Sequence, residues 1–119
     1  MTDRIIIQGL HIDAIVGVYD FERENHQRLL VDLVMDSDFS RASQSDELSD
    51  TINYAEVAEL ISTLTLELRP QLLESLAERI CQRLFQRYPV TRIELTLKKP
   101  DILHHADAVG VQVIRQRQE

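Results

Sequence analysis

Residues 92–99 read Arg92-Ile93-Glu94-Leu95-Thr96-Leu97-Lys98-Lys99, an alternation that an extended strand turns into two chemically distinct faces. Ile93, Leu95 and Leu97 share a face with Lys99, whereas Arg92, Glu94 and Thr96 share the other with Lys98. We place this strand from Val90 to Lys99, since Pro89 precedes it and Pro100 stops it. The same period recurs over Gln27 to Phe39, where Leu29, Val31, Leu33 and Met35 face one way, away from Asp32 and Asp36. An earlier strand, Arg4 to Val18, carries Ile5, Ile7, Ile12 and Val16, and Gly9 and Gly17 permit a bend or bulge in it. The polar stretch Tyr19 to His26 joins these two runs into an antiparallel pair. A last strand, Asp107 to Arg115, follows a short loop through His104 and His105.

Between the strand pairs the period changes. Ser40 to Asp50, rich in Ser and Asp, reads as a loop. Asn53 then caps a helix, with Glu56 placed to complete a capping box. Val57, Leu60, Ile61, Leu64 and Leu68 give this helix one apolar stripe, although Thr63 to Thr65 lower its intrinsic propensity. Pro70 breaks it. A second helix, Leu73 to Arg87, sets Leu76, Ile80 and Leu84 on one side, continued by Tyr88, with Cys81 beside them as a small core residue. The order ββααββ predicts an α+β domain, a four-stranded antiparallel sheet with two helices on one face. Its other face is left to water or to another copy of the chain.

Composition narrows the function. The 119 residues, 44% of them hydrophobic, suit one domain over 1–119 with a core of its own. A single cysteine excludes an internal disulfide and a zinc site of several thiolates. Thirteen basic against 20 acidic residues, net charge −7, leave no footprint for nucleic acid. The longest apolar runs, such as Ile5-Ile6-Ile7, fall far short of the roughly 18 residues a membrane span requires. Met1-Thr2-Asp3-Arg4 has none of the marks of a signal peptide, so a cytoplasmic protein without membrane partners is expected.

Four residues stand out chemically. Lys99 ends an apolar row, where desolvation favours the neutral amine and suits it to proton transfer; a lysine that snorkels out of a strand end is the plainer reading. Glu74, at the start of the second helix, profits from the helix dipole, and could equally accept two N–H donors from a flat, amidine-like heterocycle. Tyr54 lies on the first turn of the first helix, in a core, an interface or a site. Glu22 is a loop carboxylate. His104, His105 and Asp107 show no metal-ligand spacing, and neither a phosphate-cradling glycine loop nor a nucleophile triad is legible.

Taken together, Gly17-Val18-Tyr19-Asp20-Phe21-Glu22, Asn53-Tyr54-Ala55-Glu56-Val57-Ala58, Leu73-Glu74-Ser75-Leu76-Ala77-Glu78, Lys99-Pro100 and Ala108-Val109-Gly110-Val111 resemble the dihydroneopterin aldolase family, in its order and spacing, from about Arg4 to Arg115. The resemblance implies a T-fold, whose ββααββ subunits pool their sheets into a barrel, four to a ring and two rings to an octamer. It implies a folate-pathway lyase that cleaves dihydroneopterin to hydroxymethyl-dihydropterin and glycolaldehyde, with no metal, no cofactor and no lysine Schiff base. By the same resemblance, Glu74 anchors the pterin with help from the Leu73 backbone. Lys99 is the general acid/base, Tyr54 from a neighbouring subunit handles a second proton and walls the ring, and Glu22 orients Lys99 and the substrate's hydroxylated tail. One departure is Asp101-Ile102 after Lys-Pro, where many relatives carry Gly-Ala. The rival readings are a 2′-epimerase of dihydroneopterin triphosphate, which the lack of a basic run disfavours, a non-catalytic pterin-binding T-fold subunit, and a loop metallohydrolase.

Overall fold

The computed structural model describes residues 2–118. Strands β1 (Asp3–Ala14), β2 (Gln27–Ser37), β3 (Arg92–Lys99) and β4 (Val109–Gln116) form one antiparallel sheet in the order β1-β2-β3-β4. Helices α3 (Tyr54–Leu68) and α4 (Leu73–Arg87) lie between β2 and β3 in sequence. Three short elements fall where the sequence reads as loop: α1 (Asp20–Glu24), α2 (Ser40–Ser45) and a 3₁₀ turn (Leu48–Asp50). They are too short and too polar to show a period.

Alternation does what the sequence requires in β2 and β3. Leu29, Val31, Leu33, Met35, Ile93, Leu95 and Leu97 are buried, and Val57, Ile61, Leu64, Leu76, Ile80 and Leu84 from the helices meet them in one core. Cys81 joins that core, and burial pushes its thiol up to about 11. In β1 the inward positions change parity, from Ile5 and Ile7 to Leu10, Ile12 and Ala14. The cause is a bulge between Ile7 and Leu10, where Gly9 takes a left-handed φ of 65° and donates its N–H to Asp32.

Strand ends differ from expectation because pairing sets them. β1 stops at Ala14, opposite Gln27, so Val16 is buried but unpaired as a strand residue. β4 starts at Val109, opposite Lys99, which leaves Asp107 and Ala108 outside the ladder, and β3 starts at Arg92 rather than Val90. Asn53 caps α3 by accepting from Ala55 and Glu56 N–H. The expected box is only half formed, since the Glu56 carboxylate turns to Arg87 at 3.4 Å. Thr65, poor in helix propensity, is buried with its hydroxyl bonded to the Ile61 carbonyl.

The helix-free face carries the other alternation set. Lys98–Asp32 and Arg92–Glu94 pair on it, both at 2.9 Å, beside the exposed Ile6 and Ile114. Among the described residues, no helix is long and apolar enough to cross a membrane.

Candidate active site

Lys99 ends the inward row of β3, and at that end the helices no longer cover the sheet with apolar side chains alone. Its Nζ donates to Glu22 Oε2 at 2.8 Å and to the Val16 carbonyl at 3.2 Å. The expected desolvation is real, with only 11% of the lysine side chain and 4% of the glutamate exposed. The ammonium is not stranded there, however, because a carboxylate and a carbonyl receive it. Lys98, one residue earlier, is 38% exposed on the opposite face.

Glu22 reaches this point because α1 carries it over β1's end. The helix begins as Glu22 and Arg23 N–H bond back to the Tyr19 carbonyl, and the Tyr19 N–H meets Glu22 Oε1 at 3.4 Å. Burial works to raise the Glu22 pKa. Hydrogen bonds from Lys99 and Gln27, the Lys99 charge and the Tyr19 N–H outweigh it, and the carboxyl is held below its ordinary range. Gly17 makes room for this carboxylate. Its φ is 135°, and a Cβ there would fall on the Glu22 carboxyl group. Gly17→Ala should therefore cost about 1–3 kcal/mol of stability through backbone strain, read as a lower urea midpoint. An unchanged midpoint would contradict this geometry.

The pair lines an open cleft of about 310 Å³, whose other walls come from Gly17–Tyr19, from Gln71–Glu74 and from Val109–Val111. Glu74 stands at the start of α4, exposed, and no described residue hydrogen-bonds its carboxylate. The Leu72 N-cap supplies no side-chain bond, so the first N–H groups of α4, Leu73 included, lack intrahelical partners. Ile102 also lines the cleft, whereas Asp101 turns to Arg28 at 3.4 Å. Arg23 joins two walls, its guanidinium donating to the Gly17, Arg69 and Pro70 carbonyls.

Lys99, Glu22, Leu73 and Glu74 thus come together in the chain, and Tyr54 does not join them. Tyr54 is 66% exposed and lines a different cleft of about 570 Å³ with Ile5, Phe39 and Ile52. Reasoning from sequence passed over Gln27 and Arg23, whose contacts depend on the fold. A polar side chain opening the apolar inward row Leu29, Val31, Leu33 and Met35 was the only signal for Gln27. His104, His105 and Asp107 form no metal-binding group among the described residues.

A buried ammonium–carboxylate pair opening on a cleft is an arrangement that acid–base chemistry can use. Comparison with known proteins supplies the family. The family model for dihydroneopterin aldolase (FolB) matches residues 5–114. The dihydroneopterin aldolase of Staphylococcus epidermidis is 34% identical over 119 residues, covering 98% of each chain. That of Haemophilus influenzae is 36% identical over 114 residues, 95% of this chain and 96% of its own. The structure of Escherichia coli dihydroneopterin aldolase in complex with neopterin superposes with a TM-score of 0.91 at 32% identity, over 95% of this chain and 98% of that one. A Burkholderia dihydroneopterin aldolase bound to guanine shares the fold at 19% identity, with a TM-score of 0.84 over 98% and 93% of the two chains. This chain belongs to the dihydroneopterin aldolase family.

Proposed function

We infer that the chain cleaves the side chain of dihydroneopterin to give hydroxymethyl-dihydropterin and glycolaldehyde. The observation that carries this reading is the Lys99–Glu22 pair, buried at 2.8 Å on a cleft that the unpartnered Glu74 also lines. The relatives and the neopterin complex supply the substrate class. Glu74 accepts the two parallel N–H donors of the pterin's amidine edge, and the Leu73 backbone assists. The ring's hydroxylated tail then lies toward Lys99 and Glu22.

Cleavage takes the proton from the 2′-hydroxyl and breaks the C1′–C2′ bond, which releases glycolaldehyde. The bonding electrons pass into the conjugated C6–N5 unit, and N5 gains a proton. Loss of that proton as C1′ gains one yields the hydroxymethyl product. Because the substrate holds the electrons itself, Lys99 has only to move protons, and the reading needs neither a Schiff base nor a metal. Glu22 orients Lys99 and the tail hydroxyls. Product analysis tests this: incubation with dihydroneopterin should yield glycolaldehyde, and recovery of the 2′-epimer alone, from it or from its triphosphate, would overturn the assignment.

Tyr54 enters this scheme from a neighbouring subunit, as a second proton-handling group and a wall for the ring. Its exposure in a separate cleft, the helix-free sheet face with Ile6 and Ile114, and the open edges of β1 and β4 support a closed homo-oligomer, a barrel stacked as an octamer. Mixed assemblies test the sharing. Lys99→Ala and Tyr54→Phe subunits, each weakly active alone, should regain activity when co-expressed, because some shared sites then combine two intact groups. No recovery in a proven mixed oligomer would sink the shared site.

A further inference from the structure

Gln27 opens β2 beside the cleft, and its side chain duplicates both hydrogen-bonding partners of Lys99. The amide Nε2 donates to Glu22 Oε2 at 3.1 Å and to the Val16 carbonyl at 2.5 Å. Lys99 Nζ donates to the same two oxygens, at 2.8 and 3.2 Å. Two donors and two acceptors thus close a ring. Both neighbours of the amide are acceptors, so its nitrogen and not its oxygen must face them. An ammonium has three N–H groups, and this ring occupies two, which leaves the third for substrate.

We propose that Gln27 is a positioning residue, which keeps the Glu22 carboxylate aimed and hydrogen-bonded during the part of each turnover in which Lys99 has given up its proton. The idea rests on the cleavage reading above. When Lys99 becomes a neutral amine, Glu22 loses the cation beside it while still buried, and a buried carboxylate without its counter-charge is costly unless its other hydrogen bonds hold. Gln27 is neutral at every stage and goes on donating. The Tyr19 N–H does the same for the other oxygen. The remaining charged groups around Glu22 do not substitute: Glu74 on α4 has the wrong sign, and Arg23 is engaged with the carbonyls of Gly17, Arg69 and Pro70.

Gln27→Met keeps the side chain's length and removes the amide. It should lower turnover by about tenfold at neutral pH, the range of one hydrogen bond to a charged group, while neopterin binding measured by calorimetry stays near wild type, because the Glu74 anchor is untouched. The acid limb of the turnover profile should move to higher pH. Activity that requires ionised Glu22 is lost as pH falls through its pKa, and removing a donor to the carboxylate raises that pKa. Gln27→Glu, which retains a polar side chain if the methionine variant does not fold, should move the limb the same way by setting a second carboxylate against Glu22. An unmoved acid limb, or binding and turnover that fall together, would show a merely structural residue and overturn the proposal. A wild-type protein that leaves dihydroneopterin intact would instead overturn the function reading, and the proposal with it.

Discussion

Lys99→Ala is expected to lower turnover by about 10²–10⁴-fold, the usual contribution of a general acid–base group, whereas Lys98→Ala stays within a few-fold of wild type. The two lysines are adjacent and equally charged, so a diffuse electrostatic role would make them equivalent. Alternation in β3 separates them. Lys99 turns into the cleft to Glu22, while Lys98 pairs with Asp32 on the helix-free face, 2.9 Å away. Asp32 is in turn held below the usual carboxylate range by the Lys98 hydrogen bond and the Gly9 N–H, a structural pairing outside the cleft. Steady-state turnover of both variants decides the matter, with neopterin calorimetry to confirm that the cleft persists. Equal damage from the two substitutions would defeat the argument from facing. Borohydride added with substrate should trap no adduct at Lys99, and a trapped adduct would replace proton transfer by a Schiff base.

Glu74→Ala should weaken the binding of neopterin by about 1.5–3 kcal/mol for each charge-assisted hydrogen bond lost, or roughly 10- to 150-fold in Kd. The carboxylate has no described protein partner to satisfy, so its removal strands nothing in the free protein. The loss therefore falls on the complex. A ring held by its amidine edge is held alike before and during cleavage, and the penalty should appear in KM more than in kcat. Lys99→Ala has the opposite signature. Calorimetry that finds wild-type affinity in Glu74→Ala would remove the anchor from Glu74.

The sheet and both long helices are legible because their residues repeat. Leu29 to Met35 and Ile93 to Leu97 alternate, Leu73 to Arg87 keeps one stripe, and the observed α4 has the expected bounds. What repetition cannot show is where pairing stops, which is why β1 ends at Ala14 and not at Val18. The bulge at Gly9 was foreshadowed by the glycine, though its reversal of inward parity was not. In the site, Lys99 stood out by ending an apolar row, although the residues alone favoured a lysine that snorkels out of the strand end. Glu22 had no such pattern, and five-residue α1, which lifts it over the sheet, is invisible to a periodicity of 3.6. The roles given to Glu74 and Tyr54 came from the family resemblance; the residues alone favoured a helix-dipole carboxylate and a core or interface tyrosine. Gln27 acquires meaning only when Lys99, distant in the chain, is brought to Val16 and Glu22.

The Lys99–Glu22 pair spans 77 positions of the chain, and that separation bears on how the protein is made. A polypeptide that has left the ribosome through Arg87 already contains β1, β2 and both long helices. It does not yet contain the cation that Glu22 needs. Seating α1 in its final place would then bury an uncompensated charge, an uphill step until β3 arrives and docks on β2. The two hairpins are local, but β2 must find β3 across residues 38–91, a long closure that pays back only on completion. The arm bearing Glu22 should accordingly stay unseated through most of synthesis and lock together with the last strands. A nascent or prematurely terminated chain would therefore carry no half-built acid–base centre.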